Sequence, residues 1–461
     1  MGGVNAGVSK RVTLIIVSIT VAVIAFMMSA VAIALPTIGK EFAMEAVLLG
    51  WVVTAMTFPQ AALLLPAGRL ADIYGRKRIF LYGMGILIVA SFLCAIANSA
   101  VSLIACRLFQ GIGSGMVFGT SLAILISVFP PGERGRALGI SSAAVFLGIS
   151  AGPFLGGVLT QHFGWRSIFF LNGFLSLVVI GLAFWRLRGE WAEARGERFD
   201  VVGSIIFGIS LMVMLYGFTV LLTNLGIVLF VLGVLGLLAF VWWEARMESP
   251  ILDIGLFRKN TVFVFSNLAM LFHMCTAFAV IFLLSLYLQY NKAFLPQTAG
   301  LIMIVQPICT AICTPVAGRL SDKVDPRMVA AVGMVVTCVA LVLFIFLNDE
   351  TALGYIIAGL AIFGFGVGIF ASPNSNAVMS SVEKKSLGVA SGAQGTMRSC
   401  GQILGMGIVM ILFSLYIGET QITPEYYPAF LTSAKVGFII FAAINLGGIF
   451  AQLAGRKVRL A

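Results

Sequence analysis

Two arginines and one histidine stand inside long apolar runs of this sequence: Arg107, Arg398 and His273. A guanidinium at membrane depth is unfavourable unless it meets water, carbonyl oxygens or an anion. Each arginine could therefore bind the negative charge of a ligand or act as a structural hydrogen-bond donor. His273 suits proton exchange, although a lone histidine on a helix is more often a packed hydrogen-bond partner.

No Asp or Glu occurs in the middle of any apolar run. The nearest carboxylates, Asp72, Asp200, Glu244 and Asp253, all fall at the ends of runs. Exchange of a proton for a cation normally uses a buried carboxylate, because burial brings its proton affinity toward neutral pH. We therefore expect a neutral to positive interior, which favours neutral amphiphiles or anions over strongly cationic ligands.

Several side-chain amides also interrupt the apolar runs. They are interleaved with Phe and Met, which adapt to varied ligands, but in lipid such amides also bond between helices. The amides are Gln60, Gln110, Asn267, Gln306, Asn374, Asn376, Gln394 and Gln402. We take Gln110, Asn267, Gln306 and Asn374, with the arginines and His273, as candidates for substrate contact or coupling.

The elements that position these groups must be membrane helices. The chain is 60% hydrophobic and 10% charged with a mean hydropathy of +1.07, a composition that excludes a soluble protein. A span needs roughly 20 apolar residues, and the sequence contains fourteen such runs. We predict an all-α integral membrane protein.

One charged loop occurs twice. Residues 66–78 read PAGRLADIYGRKR and residues 317–327 read AGRLSDKVDPR, each directly after an apolar run. A second pair of similar loops, 133–139 and 383–388, follows each copy at nearly the same distance. Such duplication predicts two related halves of six helices. We divide the chain into a first half at 1–186, a connector with two additional spans at 187–249, and a second half at 250–461.

The repeated loop is a candidate gate. Its charges can form salt bridges in one conformation that break in another, while Arg76, Lys77 and Arg78 would contact anionic headgroups. The alternative is that these cations only set the topology. The candidate gating residues are Gly68, Arg69, Asp72, Gly75, Arg76, Arg78, Gly318, Arg319 and Asp322. For the two additional spans we expect a structural role.

A run of small residues marks the fifth span. Gly148, Gly152 and Gly156 recur every four residues, which gives a groove for close helix packing, and Gly157 follows directly. Pro153 removes one helical hydrogen bond and permits a bend that could open or seal a cavity. Close packing without such a function is the alternative.

The distribution of basic residues predicts the topology. Most of the 29 Lys and Arg residues fall on loops that share one side, and only Lys40, Arg166, Lys292 and Lys435 fall on the other. Because cations on short loops stay in the cytoplasm, both termini are expected there. The net charge of +11 reflects this bias, so we expect no nucleic-acid partner.

The sequence contains no motif that indicates catalysis or metal binding. The seven cysteines lie within apolar runs, and Cys309 and Cys313 share a helix face without an accompanying His or acid. No Ser/His/Asp set or phosphate-binding loop is present. We expect neither an enzyme nor a metal site.

Taken together, these motifs resemble the major facilitator superfamily, and the fourteen spans resemble its drug/proton antiporter branch. The resemblance rests on residues 68–78, on Arg107, Gln110, Gly111 and Gly113, and on the run from Gly148 to Gly157. Trp165-Arg166 leading to Asn172 and the run from Pro250 to Asp253 extend it over nearly the whole chain. It implies the major facilitator fold, with two additional helices.

The chain departs from that branch in its first span. The resemblance implies an acidic residue a few turns before the Ala34-Leu35-Pro36 terminus, and Met27 stands there. The polar position closer to the terminus is Ala32. This departure leaves the energy source open.

Our leading hypothesis is a secondary active transporter working by alternating access, which exports hydrophobic or amphipathic small molecules. The alternative is a transporter of organic anions or metabolites, in which Arg107 or Arg398 binds the negative charge. A membrane sensor or scaffold that no longer transports is a third possibility. We expect a monomer in the cytoplasmic membrane, with a small-molecule substrate, the lipid bilayer as its surroundings and no cofactor; the proton-motive force is a candidate energy source.

Overall fold

A computed structural model describes residues 9–130, 133–187, 189–192, 194–247, 251–252, 255, 257, 260–383 and 387–455. All regular structure in these ranges is helical. Fourteen helical segments are long and apolar enough to cross a membrane, which confirms the predicted number of spans. Asp253 and Pro250, which the sequence analysis used, lie outside the described residues.

Seven helices build the first half. They form six spans because the second span consists of two helices. The helices are α1 (Lys10–Glu41), α2 (Ala46–Thr54), α3 (Thr57–Tyr74), α4 (Arg76–Ala95), α5 (Ala100–Val128), α6 (Arg134–Phe163) and α7 (Arg166–Arg186).

The two additional helices and the helices of the second half follow along the chain. The tenth span again consists of two helices. The helices are α8 (Val201–Thr219), α9 (Asn224–Glu244), α10 (Thr261–Tyr290), α11 (Pro296–Met303), α12 (Val305–Ser321), α13 (Pro326–Ile345), α14 (Leu353–Ser380), α15 (Leu387–Tyr416) and α16 (Tyr427–Ala454), and the turn Pro424–Tyr426 precedes α16.

Prolines cause the breaks in the second and tenth spans. Proline has no N–H, and its ring clashes with the carbonyl four residues earlier. The residue four positions before Pro59 is Ala55, which lies in the gap between α2 and α3. The residue four positions before Pro307 is Met303, the last residue of α11. We did not predict these breaks, which place free backbone groups inside the bundle.

The two halves repeat their glycine contacts. A Cβ built on Gly111 would collide with the carbonyl oxygen of Met56, and one on Gly364 would collide with that of Gln306. Each glycine lets a long helix cross directly against the broken span of its own half. Substituting either glycine with any larger residue must push the helices apart.

The same repetition holds for the first helix of each half. A Cβ on Gly148 of α6 would collide with the Ala22 carbonyl of α1, and one on Gly401 of α15 would collide with the Leu271 carbonyl of α10. Four residues later, Gly405 meets Cys275 in the same way. The duplication inferred from the loops therefore extends to backbone contacts within the membrane.

The halves contact each other closely at one end of the bundle. A Cβ on Gly157 of α6 would lie 3.0 Å from Cα of Gln297 in α11, and one on Gly300 would lie against Pro153. The ring nitrogen Nε2 of His162 is 3.1 Å from Oε1 of Gln297. Small residues and Pro153 thus form a backbone-to-backbone seam between the halves.

Hydrogen bonds reinforce this seam. The Ala46 N–H donates to the Thr420 carbonyl at 3.0 Å, and Nε2 of Gln289 donates to the Ile33 carbonyl at 3.0 Å. At the opposite end, which carries the repeated loops, a Cβ on Gly139 or on Gly388 would meet nothing within 4 Å.

The additional helices α8 and α9 pack as a hairpin through small residues. A Cβ on Gly233 would collide with Met214, and one on Gly226 with the Val220 carbonyl. Such packing suits helices in lipid, where close backbone approach replaces the hydrophobic effect. The hairpin contacts both halves, because Gly208 lies near Ala62 of α3 and Gly407 of α15 lies against Phe218.

Candidate functional site

Arg107 is buried in the first half, where it supports the broken span. Its side chain is 1% exposed. Nε donates to the Val52 carbonyl at 3.0 Å, and Nη1 donates to Oε1 of Gln110 at 2.8 Å. Because Val52 lies in the last turn of α2, its carbonyl belongs to the group that a helix end leaves without intrahelical donors.

Gln110 extends this network toward α1. Its Nε2 donates to Oγ of Ser91 at 2.9 Å and contacts Sδ of Met27 at 2.8 Å. Asn172 donates to the same Ser91 hydroxyl at 2.8 Å. Met27, which stands where the resemblance implies an acid, therefore meets an uncharged amide. No carboxylate of the described residues pairs with Arg107.

Arg398 occupies a different environment. Gly401 and Gly405 pack α15 against α10, while Gly392 and Gly395 pack it against α3. At about 100° per residue, Arg398 falls between these two faces. Its side chain is accessible to solvent, although it lies deep among protein atoms. No described residue forms a hydrogen bond or ion pair with it. It therefore projects into the space between the halves.

Gln60 joins the halves at the depth of these arginines. Its Oε1 accepts from Oγ of Ser114 at 2.8 Å, and its Nε2 lies 3.5 Å from Oγ of Ser399 in the second half. Ser399 directly follows Arg398. The polar contact and the unpaired guanidinium thus share one region of the interface.

His273 lies within the second half. It is fully buried, its ring centroid is 4.1 Å from that of Phe370, and Nδ1 is 3.4 Å from Oδ1 of Asn445. Asn445 in turn donates to the Met334 carbonyl at 2.7 Å. This geometry places His273 as a packed partner of α14 and α16, and its proposed part in coupling stays a prediction.

The remaining amide candidates are buried in the second half. Nδ2 of Asn267 donates to the Phe263 carbonyl at 2.8 Å, and Gln306 contacts the Thr310 hydroxyl at 3.1 Å. Asn374 is fully buried, and neither polar atom of its amide has a hydrogen-bond partner. An amide without partners is the least stable of these arrangements.

The first repeated loop is organised around Arg76. This side chain is only 5% exposed. Its Nη2 lies 2.7 Å from Oδ1 of Asp72, and Nη1 donates to the Ala123 carbonyl at 3.1 Å and to the Ser127 hydroxyl. The expectation that Arg76 contacts headgroups was therefore wrong: its guanidinium ties the loop to α5. Arg78 remains highly exposed.

The connector between α7 and α8 lies along this loop. The Arg76 N–H donates to the Trp191 carbonyl at 2.9 Å, and the Ala194 N–H donates to the Asp72 carbonyl at 3.0 Å. Oε1 of Glu190 accepts from the Lys77 N–H at 2.8 Å. We define the connector strap as residues 189–192 and 194–200. The sequence had placed this connector at the membrane interface without identifying its partner.

A side-chain ion pair closes the strap at its far end. Nη2 of Arg69 is 2.5 Å from Oε2 of Glu197. A Cβ on Gly75, whose φ is +118°, would collide with the Glu190 carboxyl group. Glycine is therefore required at this position both for its backbone conformation and for the strap.

The second repeated loop has different contacts. A Cβ on Gly318 would lie 2.9 Å from the Ser372 hydroxyl, and Oδ1 of Asp322 is 3.5 Å from Nδ2 of Asn376. Arg319 is exposed. In the part of the chain described, no connector segment lies along this copy. The two loops are therefore similar in sequence but differ in their contacts.

Metal chemistry is absent from the described residues: no group of three or more His, Cys, Asp and Glu side chains could hold an ion there. The arrangement instead offers an interior with two arginines and several amides, and the seam joins the halves at one end of it. Such a site can bind an uncharged or anionic organic molecule.

Comparison with known sequences agrees with this geometry. A sequence model described as "Major Facilitator Superfamily" matches residues 17–241 and 266–454. The chain is 30% identical over 443 residues to "Riboflavin transporter RibZ" of Clostridioides difficile (strain 630), which covers 95% of this chain and 96% of that protein. It is also 30% identical to "Cephamycin export protein CmcT" of Amycolatopsis lactamdurans, covering 91% of this chain and 87% of that one.

Two further similarities agree with these. "Multidrug resistance protein Stp" of Mycobacterium tuberculosis (strain CDC 1551 / Oshkosh) is 30% identical, covering 84% of this chain and 73% of that protein. The crystal structure of the human organic anion transporter MFSD10 (TETRAN) superimposes with a TM-score of 0.64 at 17% identity, covering 96% of this chain and 99% of that one. This last similarity concerns the fold alone.

Proposed function

The chain belongs to the major facilitator superfamily, and from that premise we propose that it is a secondary active transporter that exports hydrophobic or amphipathic small molecules by alternating access. The observation that carries the proposal is the backbone-to-backbone seam that joins the halves at one end of the bundle, where Gly157 meets Gln297 and Gly300 meets Pro153. Toward the other end the halves meet through side chains, because a Cβ on Gly392 or Gly395 would lie against the end of the Leu65 or Leu64 side chain.

In the proposed cycle the loop end and the seam open in turn. Because cations on short loops stay in the cytoplasm, the loop end faces the cytoplasm in this proposal, and a substrate enters from there and meets the interior near Gln60 and Arg398. Separation of Gly300 from Pro153 then opens the seam toward the outside. The broken spans α2/α3 and α11/α12 supply the bends that such a movement requires. Export is favoured by the relatives that are named for multidrug resistance and cephamycin export.

A second candidate is the transport of organic anions or metabolites. Two observations favour it: the guanidinium of Arg398 faces the interior without a described partner, and no apolar run of the sequence has an Asp or Glu in its middle. A relative named as a riboflavin transporter also points to a metabolite. In this candidate Arg398 binds the negative charge and Arg107 keeps the broken span in place.

Flux into proteoliposomes separates the two candidates. We would impose a pH gradient and follow tetraphenylphosphonium, riboflavin and fluorescein in parallel. Gradient-driven movement of tetraphenylphosphonium supports the exporter. Movement of fluorescein or riboflavin that is lost in Arg398→Met, with tetraphenylphosphonium excluded, supports the second candidate. Absence of flux for every probe would favour a sensor or scaffold.

A further inference from the structure

A groove on the surface of the first half separates the start of α1 from the end of α7. It measures about 320 Å³, is open to the surroundings, and has a mostly apolar surface. Its lining residues stand three and four positions apart on each helix, so one face of each helix forms one wall. They are Val12, Ile15 and Ile16 of α1 and Leu182, Trp185 and Arg186 of α7.

The bilayer is the surroundings of this groove. Both helices are long and apolar enough to cross a membrane. On their outer faces Ile15 is 54% exposed, Leu182 is 38% exposed and Trp185 is 67% exposed. An empty crevice forfeits the dispersion contacts of its lining, so a crevice that opens to the bilayer is filled by hydrocarbon. The apolar part of the groove therefore suits the acyl chain of a lipid.

Arg186 stands at the polar end of the groove. It is the last residue of α7, and Lys10 is the first residue of α1, so the groove reaches the end of the bundle that carries the repeated loops. The Arg186 guanidinium lies over the Trp185 ring, 4.1 Å from its centroid. Tryptophan and arginine are typical of the headgroup level of a membrane. The groove thus begins at that level and continues along the hydrocarbon.

Two cations at this end, Arg11 and Arg186, are exposed and have no ion-pair partner among the described residues. The carboxylates that the chain places nearby are already in use. Glu133 is 2.9 Å from Nζ of Lys10, and Glu190 accepts from a backbone N–H of the first repeated loop at 2.8 Å. Unpaired cations at the membrane surface attract anionic headgroups. Charge complementarity therefore favours an anionic lipid over a zwitterionic one.

A second groove shows the same packing without a cation. It lies between α12 and α13, beside the second repeated loop, and measures about 400 Å³. Its lining includes Leu320, Val324, Met328 and Val332 and contains no charged residue. This groove can accept an acyl chain but offers nothing that distinguishes one headgroup from another. Of the two grooves, the one between α1 and α7 combines an apolar channel with a cation.

We propose that the groove between α1 and α7 binds one anionic phospholipid from the leaflet at the loop end. An acyl chain lies against Ile15 and Leu182, and the phosphate meets Arg186. Stacking on Trp185 occupies the face of the guanidinium and leaves the N–H groups at its edge available. A phosphate can accept two such N–H groups side by side. The bound lipid bridges the first and last spans of the first half.

This site is separate from the path of the proposed function. The groove faces the bilayer, whereas Arg398 projects into the space between the halves. Lipid binding can therefore be measured on the purified full-length protein without any transport. If the transport proposal fails, the test of this site is unaffected, and the reverse also holds.

Native mass spectrometry of the full-length protein in detergent measures the binding. Dioleoyl phosphatidylglycerol is the anionic probe, and dioleoyl phosphatidylcholine, with the same acyl chains, is the zwitterionic reference. We expect wild type to hold one phosphatidylglycerol more tightly than phosphatidylcholine. Arg186→Gln should weaken phosphatidylglycerol binding about five-fold, the effect of one cation near a membrane surface. Arg186→Lys keeps the charge and should retain most of the affinity.

Two matched controls separate this site from general effects. Arg246 also lies over a tryptophan ring, 3.8 Å from the centroid of Trp242, at the loop end of α9, but it lines neither groove. Arg246→Gln should therefore leave the tight phosphatidylglycerol in place. Leu182→Trp fills the groove and should weaken binding of the lipid. Val332→Trp fills the second groove and should leave the tight phosphatidylglycerol unaffected.

Four results would overturn the proposal. Wild type binds both lipids equally, Arg186→Gln and Arg246→Gln lose the same affinity, Leu182→Trp leaves binding unchanged, or excess inorganic phosphate displaces the lipid and reveals a site for phosphate alone. Unfolding temperatures without added lipid establish that each variant is folded. Leu182 and Arg186 are both exposed, so folding should be retained, and Ile15→Trp repeats the groove-filling test from the opposite wall.

Discussion

Arg107 donates through Nε to the carbonyl of Val52 at 3.0 Å, and this bond links a buried cation to a break in the neighbouring span. Pro59 causes the break between α2 and α3, and a helix end leaves carbonyl groups without donors. The guanidinium supplies one such donor inside the bundle. The best-buried charge in the first half is thus explained by backbone chemistry before any substrate is considered.

This relationship predicts different effects for the two arginines. Arg107→Met leaves the Val52 carbonyl and the Gln110 side chain without their donor, so we expect a loss of stability of about 1–3 kcal/mol. Arg398→Met removes no described hydrogen bond, so its stability should match wild type while anion transport falls. A thiol-reactive dye that labels the cysteines during thermal unfolding in detergent provides the measurement. Equal destabilisation by both variants would show that the roles are assigned wrongly.

The repeated glycine contacts predict matched sensitivity in the two halves. Gly111→Ala and Gly364→Ala each place a methyl group against a carbonyl of a broken span, and such overpacking is expected to destabilise by about 1–3 kcal/mol. Gly139→Ala adds a methyl group to open space and serves as the control. Folded yield and unfolding temperature are the readouts. A tolerated Gly364→Ala beside a damaging Gly111→Ala would argue against equivalent packing of the halves.

The connector strap predicts a salt-sensitive loop. The double substitution Glu190→Gln and Glu197→Gln removes the carboxylates that contact Lys77 N–H and Arg69. We expect faster hydrogen exchange in peptides that span residues 72–79, and raised salt should produce part of the same effect because the strap's charges are partly exposed. Glu350→Gln, at the other end of the bundle, should change nothing. Unaltered exchange in the double variant would mean that the two backbone hydrogen bonds suffice.

Alternating access predicts opposite cross-linking at the two ends. With His162→Cys and Gln297→Cys in a background without other cysteines, a short bifunctional maleimide should cross-link the pair readily, because Nε2 of His162 and Oε1 of Gln297 meet at 3.1 Å across the seam. The cross-link should also block transport. Leu65→Cys and Gly392→Cys form the matched pair toward the loop end, where a Cβ on Gly392 would lie 2.8 Å from Cδ2 of Leu65, and their cross-linking should fall when that of the seam pair rises. Simultaneous efficient cross-linking of both pairs under one condition would contradict the proposed cycle.

Much of the architecture was predictable because lipid restricts which backbone structures can form. A span in hydrocarbon must satisfy its own backbone, so apolar length alone marks a helix, and the fourteen predicted spans are confirmed. The repeated loops that contain Gly68 and Gly318 indicated two related halves, because charged residues are easily recognised between apolar runs. Pro59 and Pro307 could have indicated the breaks in the second and tenth spans, but our sequence prediction did not include these breaks.

Contacts between distant residues were not predictable from these patterns. The sequence treated Arg107 and Arg398 as equivalent, because both are arginines within apolar runs. Only packing shows that one bonds to the Val52 carbonyl and the other faces the interior without a described partner. Arg76 was expected at headgroups for a similar reason, yet it reaches inward to Asp72 and α5.

The sequence by itself determined the membrane class, the fourteen spans, the duplicated loops and the absence of an acid in the membrane interior, because these depend on composition and local order along one chain. The tertiary structure alone decided where the seam between the halves lies, that the connector strap lies on the first loop, and that Glu244 and Asp200 face the same glycine, Gly203. These depend on how helices far apart in sequence cross one another, and that depends on the backbone contacts that residues such as Gly111 and Gly157 permit.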